Sequence, residues 1–165
     1  MIVAWTGHRP DLFNDPVVAE KAVTTLARDV VGREAAVRFL LGGQRGVDTW
    51  AAGAAIVLDV PFTLILPFEP AEFARDWSAD DRRALARTLT RASDVRLVGG
   101  DRNAAFTERN RLLVAEADLL VAVWTGVTGG GTAETMAFAT SNRTPVREVL
   151  LTPSSRADLA SGRGV

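Results

Sequence analysis

The chain has 165 residues, 47% of them hydrophobic and 24% charged, a composition that suits one globular domain with a sizeable core. Its 19 basic and 20 acidic residues leave a net charge of −1, so charge gives no direct signal of a nucleic-acid partner. The absence of cysteine excludes disulfides and thiolate chemistry, and a single histidine argues against a metal site.

Short apolar runs alternate with helical patterns from one end of the chain to the other. Asp15 followed by Pro16 predicts a helix start, and Ser78 with Asp81 has the spacing of a capping box. No apolar run resembles a signal peptide or is long enough to span a membrane, which predicts a cytoplasmic protein without membrane contact. The strands are predicted at 2–7, 36–43, 61–68, 94–100, 118–124 and 144–151, and the helices at 15–34, 46–60, 78–92, 107–117 and 129–142.

This alternation predicts an α/β fold with a doubly wound, mostly parallel sheet of about six strands and helices on both faces. We see no internal repeat or linker, so residues 1–150 are predicted to form one domain and 151–165 a polar C-terminal tail. Ligands of such sheets bind outside the carboxyl ends of the strands, where the strand order reverses. Three strand ends therefore carry the functional argument.

The first strand ends in Thr-Gly-His-Arg-Pro, residues 6–10. Gly7 would let the backbone approach a ligand, Arg9 is a candidate for binding phosphate, and His8 is a candidate ligand contact. The alternative for His8 is a histidine that only shapes a turn. General acid–base catalysis is not assigned to it, because no partner carboxylate is identifiable.

The second strand ends in Gly-Gly-Gln-Arg-Gly-Val-Asp, residues 42–48. Gly42 and Gly43 would permit close backbone approach to a ligand, which Gln44 and Asp48 could contact. Asp48 stands at the predicted N-cap of the next helix, and capping alone would also explain it. The spacing matches neither a dinucleotide-binding fingerprint nor a Walker A loop, and no lysine follows, which argues against ATP hydrolysis of the P-loop kind.

The fifth strand is followed by a glycine run, Gly129 to Gly131, and then by Thr132 and Glu134. Glycines before a helix start expose backbone N–H groups, and with the helix dipole these favour phosphate. The alternative is a flexible turn, in which Thr132 is an ordinary helix cap and Glu134 does no more than interact favourably with the helix dipole. Just before this strand, Arg109 and Asn110 are predicted near the start of helix 107–117, where an arginine could equally be a solvated surface charge.

Taken together, these segments resemble the YpsA-type branch of the SLOG superfamily, which also contains DprA-like proteins and the LOG phosphoribohydrolases. The resemblance runs in order from residue 5 to about residue 140 and is carried by the segments TGHRP, GGQRGVDTWAA, ILPFE, ERNRLLVAEADLLVAVW and GGGTAETMAFA. It implies a Rossmann-like sheet whose strand ends bind a nucleotide or nucleotide-derived small molecule. It also implies a homo-oligomer, with a dimer expected.

The LOG enzymes cleave the N-glycosidic bond of nucleoside 5′-monophosphates, with an Arg-Lys pair and a P-G-G-x-G-T-x-x-E loop. By this resemblance Arg109 matches the arginine, and Gly130, Gly131 and Thr132 match the loop. Asn110 stands in place of the lysine. Glu134 follows Thr132 by two positions instead of three, and one position turns a helical side chain by about 100°.

Three hypotheses follow, and none requires a cofactor. The first is a binding protein or sensor that holds phosphate at Gly129–Thr132, with Arg9 or Arg109 adding charge-assisted contacts and Asp48, Gln44 or Glu134 binding sugar hydroxyls or base edges. The second is a nucleoside monophosphate N-glycosidase, with Glu134 or Asp48 stabilising an oxocarbenium-like transition state and Arg109 orienting the phosphate. The third is a scaffold domain that has lost its site.

Overall fold

The computed structural model describes residues 1–34 and 37–155. Residues 35–36 and 156–165 lie outside that description, including the first residue of the predicted second strand and most of the predicted tail. Within the described ranges the strands are β1 (Ile2–Gly7), β2 (Arg38–Leu41), β3 (Phe62–Leu66), β4 (Asp94–Leu97), β5 (Leu119–Trp124) and β6 (Val146–Leu150). The helices are α1 (Pro16–Arg33), α2 (Val47–Val57), α3 (Pro70–Phe73), α4 (Ala79–Arg91), α5 (Arg102–Ala115) and α6 (Gly130–Asn142).

The six described strands form one parallel sheet in the order β4-β3-β2-β1-β5-β6. The chain moves outward from β1 to β4, returns through α5, and continues outward on the other side through β5 and β6. This is the predicted doubly wound α/β fold, which the structure confirms as Rossmann-like. The strand order reverses between β1 and β5, where Gly7 pairs with Val123, so the ligand crevice of such folds falls at that point.

Helices cover both faces of the sheet. Alternate residues of β1 point to opposite faces, so Trp5 belongs to a core with α1, α2 and α4, and Ala4 to a second core with α5 and α6. Trp5 packs on Phe39 of β2, with ring centroids 5.2 Å apart. The nearly continuous apolar character of the central strands follows from this burial on two sides.

Two of the predicted helix starts are confirmed in atomic detail. The Asp15 side chain accepts hydrogen bonds from the backbone N–H groups of Val17 and Val18, and Ser78 accepts one from the N–H of Asp81.

The predicted start of the helix at 107–117 is wrong. Helix α5 begins at Arg102, five residues before the predicted start, because the carboxylate of Asp101 accepts hydrogen bonds from two backbone N–H groups of its first turn. Arg109 and Asn110 therefore lie in the middle of a helix and are buried, with 7% and 3% exposure. The alternative of a solvated surface arginine is excluded for Arg109.

The predicted N-cap role of Asp48 is also wrong. Helix α2 begins at Val47 after Gly46, whose φ of 88° suits glycine. Asp48 lies in the first turn, where its Oδ2 accepts a hydrogen bond from the backbone N–H of Gln44 at 3.0 Å. It stabilises the loop before the helix instead of capping the helix.

The chain beyond β6 returns to the segment that follows β1. The N–H of Asn14 donates to the carbonyl of Thr152, the N–H of Ser154 donates to the carbonyl of Leu12, and Phe13 forms an antiparallel bridge with Pro153. The described part of the predicted tail is therefore packed against the fold. Among the described helices, none has the length and apolar character needed to cross a membrane.

Candidate functional site

A cavity of about 650 Å³ opens at the carboxyl ends of β1 and β5, where the strand order reverses. Of the residues predicted for the site, those lining it are Gly7, His8, Arg9, Gln44, Asp48, Arg109, Asn110, Gly129, Gly130, Gly131, Thr132 and Glu134. Gly42 and Gly43 are not among its lining residues. The remaining wall is formed by Trp5, Thr6, Leu12, Phe106, Leu113, Thr125, Val127 and Thr128.

Arg109 places a fixed cation in the cavity wall. Its Nε donates to Oδ1 of Asn110 at 2.9 Å, and its Nη1 donates to the carbonyl of Gly42 at 2.7 Å. Nη2 makes no hydrogen bond with the described residues and is not sealed from solvent, so it faces the cavity. Burial lowers the pKa of Arg109, while the charges of Asp48 and Glu134 act in the opposite direction. The result is a nine-tenths-buried guanidinium with unused donors.

The glycines at the end of β2 serve the protein interior. A Cβ atom on Gly42 would lie 2.4 Å from Nη1 of Arg109, so the absence of a side chain makes room for the guanidinium. A Cβ on Gly43 would lie 2.4 Å from the side chain of Leu66, and Gly43 also has a φ of 73°. Both glycines therefore meet protein atoms where close ligand approach was expected.

Helix α5 also holds the carboxylate of Glu134 in place. Because Nε of Arg109 can only donate, the Asn110 atom facing it is Oδ1, which turns Nδ2 toward α6. That Nδ2 donates to Oε2 of Glu134 at 2.7 Å, and Thr107 Oγ1 donates to Oε1 at 2.8 Å. Thr107 was not predicted, although its i, i+3 spacing from Asn110 placed the two side chains on one helix face.

His8 joins the two ends of the loop between β5 and α6. Its Nε2 lies 3.0 Å from Oγ1 of Thr125 and its Nδ1 lies 3.3 Å from Oγ1 of Thr132. Burial lowers the pKa of His8, the charge of Arg9 lowers it further, and Asp11 opposes them. The imidazole is therefore neutral at pH 7, with a hydroxyl at each nitrogen and no carboxylate partner among the described residues. Thr125 was not predicted, although its position directly after β5 placed it at the ligand edge.

The start of α6 has no side-chain cap. Gly129 and Gly130 precede and open the helix with φ values of 93° and 78°, and a Cβ on either would meet nothing within 4 Å. The first backbone N–H groups of a helix need partners from outside it, and here they border open space in the cavity. This geometry, with the positive end of the helix dipole, suits an anion.

The loop at the end of β2 contributes a carboxylate and an amide. Asp48 is buried, and its Oδ1 has no hydrogen-bond partner among the described residues. Burial raises the pKa of Asp48, against the charge of Arg109 and the nearby backbone amides. The Gln44 side chain accepts a hydrogen bond from the N–H of Arg45 at 2.9 Å. Among the described residues, no group of three or more His, Asp or Glu side chains is arranged to hold a metal ion.

No family model and no curated protein matches the chain, but solved structures share its fold. DNA processing protein A from Helicobacter pylori, which binds single-stranded DNA, superposes with a TM-score of 0.67 at 17% identity, over 97% of this chain and 71% of that one. DprA from Streptococcus pneumoniae superposes with a TM-score of 0.61 at 15% identity. The match covers 99% of this chain and 62% of that one, so this chain spans less than two thirds of the DprA chain. TM1055, a structural genomics target, superposes with a TM-score of 0.60 at 20% identity, over 88% of this chain and 71% of that one. The chain thus has the Rossmann-like fold of these proteins.

Proposed function

We propose that this protein binds a nucleotide or nucleotide-derived ligand at the carboxyl edge of its sheet, as a binding protein or sensor of the SLOG type. The observation that carries the proposal is the uncapped glycine start of α6, which borders a cavity that also contains the buried guanidinium of Arg109. The phosphate would lie on the N–H groups of Gly130 to Thr132. The motif resemblance to the YpsA-type branch supports the same ligand class.

Arg9 supplies a second, adjustable cation at the rim. Its side chain is 44% exposed, and its ion pair with Asp11, at 3.7 Å, is long and open to solvent. Exposed ion pairs of this kind hold a side chain only weakly, so Arg9 is free to turn toward a phosphate. His8 is neutral, and its two ring nitrogens hold the hydroxyls of Thr125 and Thr132 beside the same ligand.

The test is isothermal titration with inorganic phosphate, a panel of nucleoside 5′-monophosphates and a single-stranded oligonucleotide. We expect nucleotide binding that Gly130→Asn weakens and Gly130→Asp abolishes. Both variants place a similar side chain at the same backbone conformation, and only the aspartate repels an anion. Equal affinities in the two variants, or binding of the oligonucleotide alone, would overturn the proposal.

A second candidate is hydrolysis of the N-glycosidic bond in a nucleoside 5′-monophosphate. It is favoured by Glu134, whose carboxylate lines the cavity and is oriented by Thr107 and Asn110. A carboxylate fixed beside the ribose would stabilise positive charge developing at the anomeric carbon. Chromatographic detection of free base, lost in Glu134→Gln, would support this activity, and turnover unchanged in that variant would remove Glu134 from the mechanism.

A further inference from the structure

The cavity contains a second group of polar atoms at the end of β2, on the far side of β1 from α6. We propose that Gln44, Arg109 and Asp48 form a subsite for the vicinal hydroxyls of a sugar. This inference rests on the proposed function, because it takes the phosphate at α6 as the other end of the ligand. It also assigns Arg109 to the sugar instead of the phosphate.

The amide orientation of Gln44 is fixed by its neighbour. The backbone N–H of Arg45 can only donate, so the Gln44 atom 2.9 Å away is the oxygen Oε1. The amino group Nε2 must then point the other way. It has no hydrogen-bond partner among the described residues, and Gln44 lines the cavity. Gln44 therefore presents a donor whose direction the backbone determines.

Arg109 is anchored to the same loop. Its Nη1 donates to the carbonyl of Gly42, two residues before Gln44, which brings the open Nη2 to the end of β2. Asp48 lines the cavity from the first turn of α2, and its carboxylate also bonds to the loop at the N–H of Gln44. Donors and an acceptor thus converge at one strand end.

The spacing of the two polar groups suits a phosphorylated sugar. Strands β2 and β5 lie on either side of β1, so their ends are two strand spacings apart, about 10 Å. The phosphate at α6 and the hydroxyls at Gln44 would occupy the two sides of the β1 end. Gly7 ends β1 between them, and its missing side chain makes room for Val47 and the carbonyl of Val123 and not for the ligand, contrary to the expectation for this glycine.

Charge argues against a second phosphate at the end of β2. The charge of the buried Arg109 is offset there by the nearby carboxylates of Asp48 and Glu134. A second anion would meet two negative groups. An uncharged group that both donates and accepts hydrogen bonds would satisfy the donors of Gln44 and Arg109 as well as the carboxylate of Asp48. Vicinal hydroxyls have this property, and carboxylates commonly accept from ribose hydroxyls in Rossmann-like folds.

The experiment compares ribose 5-phosphate, 2-deoxyribose 5-phosphate and inorganic phosphate by titration calorimetry. In the wild type we expect ribose 5-phosphate to bind about tenfold more tightly than the deoxy sugar, the usual effect of one hydrogen bond to a charged or fixed partner. In Gln44→Ala this ratio should fall to about twofold or less, with phosphate affinity unchanged. Arg45→Ala is the matched control, because it keeps the backbone N–H that orients Gln44, and it should retain the wild-type ratio.

Each result decides the question. Equal binding of the two sugars by the wild type, or a tenfold ratio that persists in folded Gln44→Ala, overturns the sugar subsite while the phosphate site stands. An effect of Gln44→Ala on whole nucleotides but not on sugar phosphates would assign Gln44 to the base, which also overturns it. Failure of the wild type to bind any of the probes or nucleotides would overturn the proposed function itself. Circular dichroism and a urea midpoint establish that each variant is folded.

Discussion

The two glycine loops at the carboxyl edge, residues 42–46 and 126–131, are similar in composition but differ in what surrounds them. In the first loop, a Cβ on Gly42, Gly43 or Gly46 would lie 2.4 Å from another protein atom. In the second, a Cβ on Gly129 or Gly130 would meet nothing within 4 Å. Glycine is needed in the first loop because the chain packs closely, and in the second because the backbone must turn beside an open space.

The helices that follow these loops show the same difference. At the start of α2, the N–H of Val47 donates to the carbonyl of His8, so the protein itself occupies that helix terminus. At the start of α6 no side chain serves as a cap, although side chains cap α1, α4 and α5. The N-terminus of α6 is therefore open to the cavity, whereas that of α2 is covered by the protein itself.

The largest effect should come from the packed loop. Gly46→Ala would place a methyl group 2.4 Å from the carbonyl oxygen of His8, at a φ of 88° that alanine disfavours. We expect a loss of about 3 kcal/mol in the free energy of unfolding, from overpacking and backbone strain together. Urea denaturation measures it, with Gly53→Ala in the open middle of α2 as control, which should stabilise by up to about 1 kcal/mol. Equal stability of the two variants would contradict the close packing inferred around Gly46.

A smaller effect on stability is expected in the open loop. Gly130→Ala adds a methyl group to empty space, so the cost is only that of a left-handed φ of 78°, about 1 kcal/mol. Phosphate affinity should fall about tenfold or more, because the methyl group occupies the place proposed for the anion. Calorimetry and urea denaturation of the same sample separate the two effects. A stability loss as large as that of Gly46→Ala would show that Gly130 is needed for packing.

The smallest effect concerns His8, which bonds to residues flanking the two loops: its carbonyl to the N–H of Val47 and its ring to Thr125 and Thr132. Because the pKa of His8 is lowered from 6.5 in the folded state, the unfolded chain binds more protons as the pH falls below about 7. Stability should therefore decrease on acidification from pH 7 to 5.5, by at most about 1.4 kcal/mol per pH unit. His8→Gln should lose this slope, since the chain has no other histidine. If the free energy of unfolding of that variant has the same slope against pH as the wild type, the pH dependence comes from carboxyl groups and not from His8.

The sequence was sufficient for the fold because the signals involved are local. Apolar runs predicted all six strands, and the side chains of Asp15 and Ser78 marked helix starts within three residues of the groups they bind. The predicted start of α5 is wrong because the cap, Asp101, lies six residues before the first residue of the predicted helix 107–117. Its capping geometry is as local as that of the others, so this signal was available.

The site was less predictable because its function depends on contacts between distant segments. That Arg109 reaches Gly42 across 67 residues, and that Asn110 reaches Glu134 across 24, follows from how α5 crosses the sheet. The two glycine loops cannot be told apart by composition. Only the packing around them distinguishes the covered N-terminus of α2 from the open N-terminus of α6. Residues whose role is to hold another side chain, such as Thr107, carry little signal of their own.

The pairing of residues 11–14 with 152–154 has a consequence for how the protein is made. Ser154 Oγ donates to the carbonyl of Asp11 across 143 residues, and the segment it secures continues from His8 and Arg9 in the cavity wall. On the ribosome, residues 11–14 emerge long before residues 152–154, and such distant contacts form only after the intervening chain has folded. The earlier of the two segments is thus secured by the later one, and a nascent chain acquires a complete cavity only once the entire sheet has left the exit tunnel.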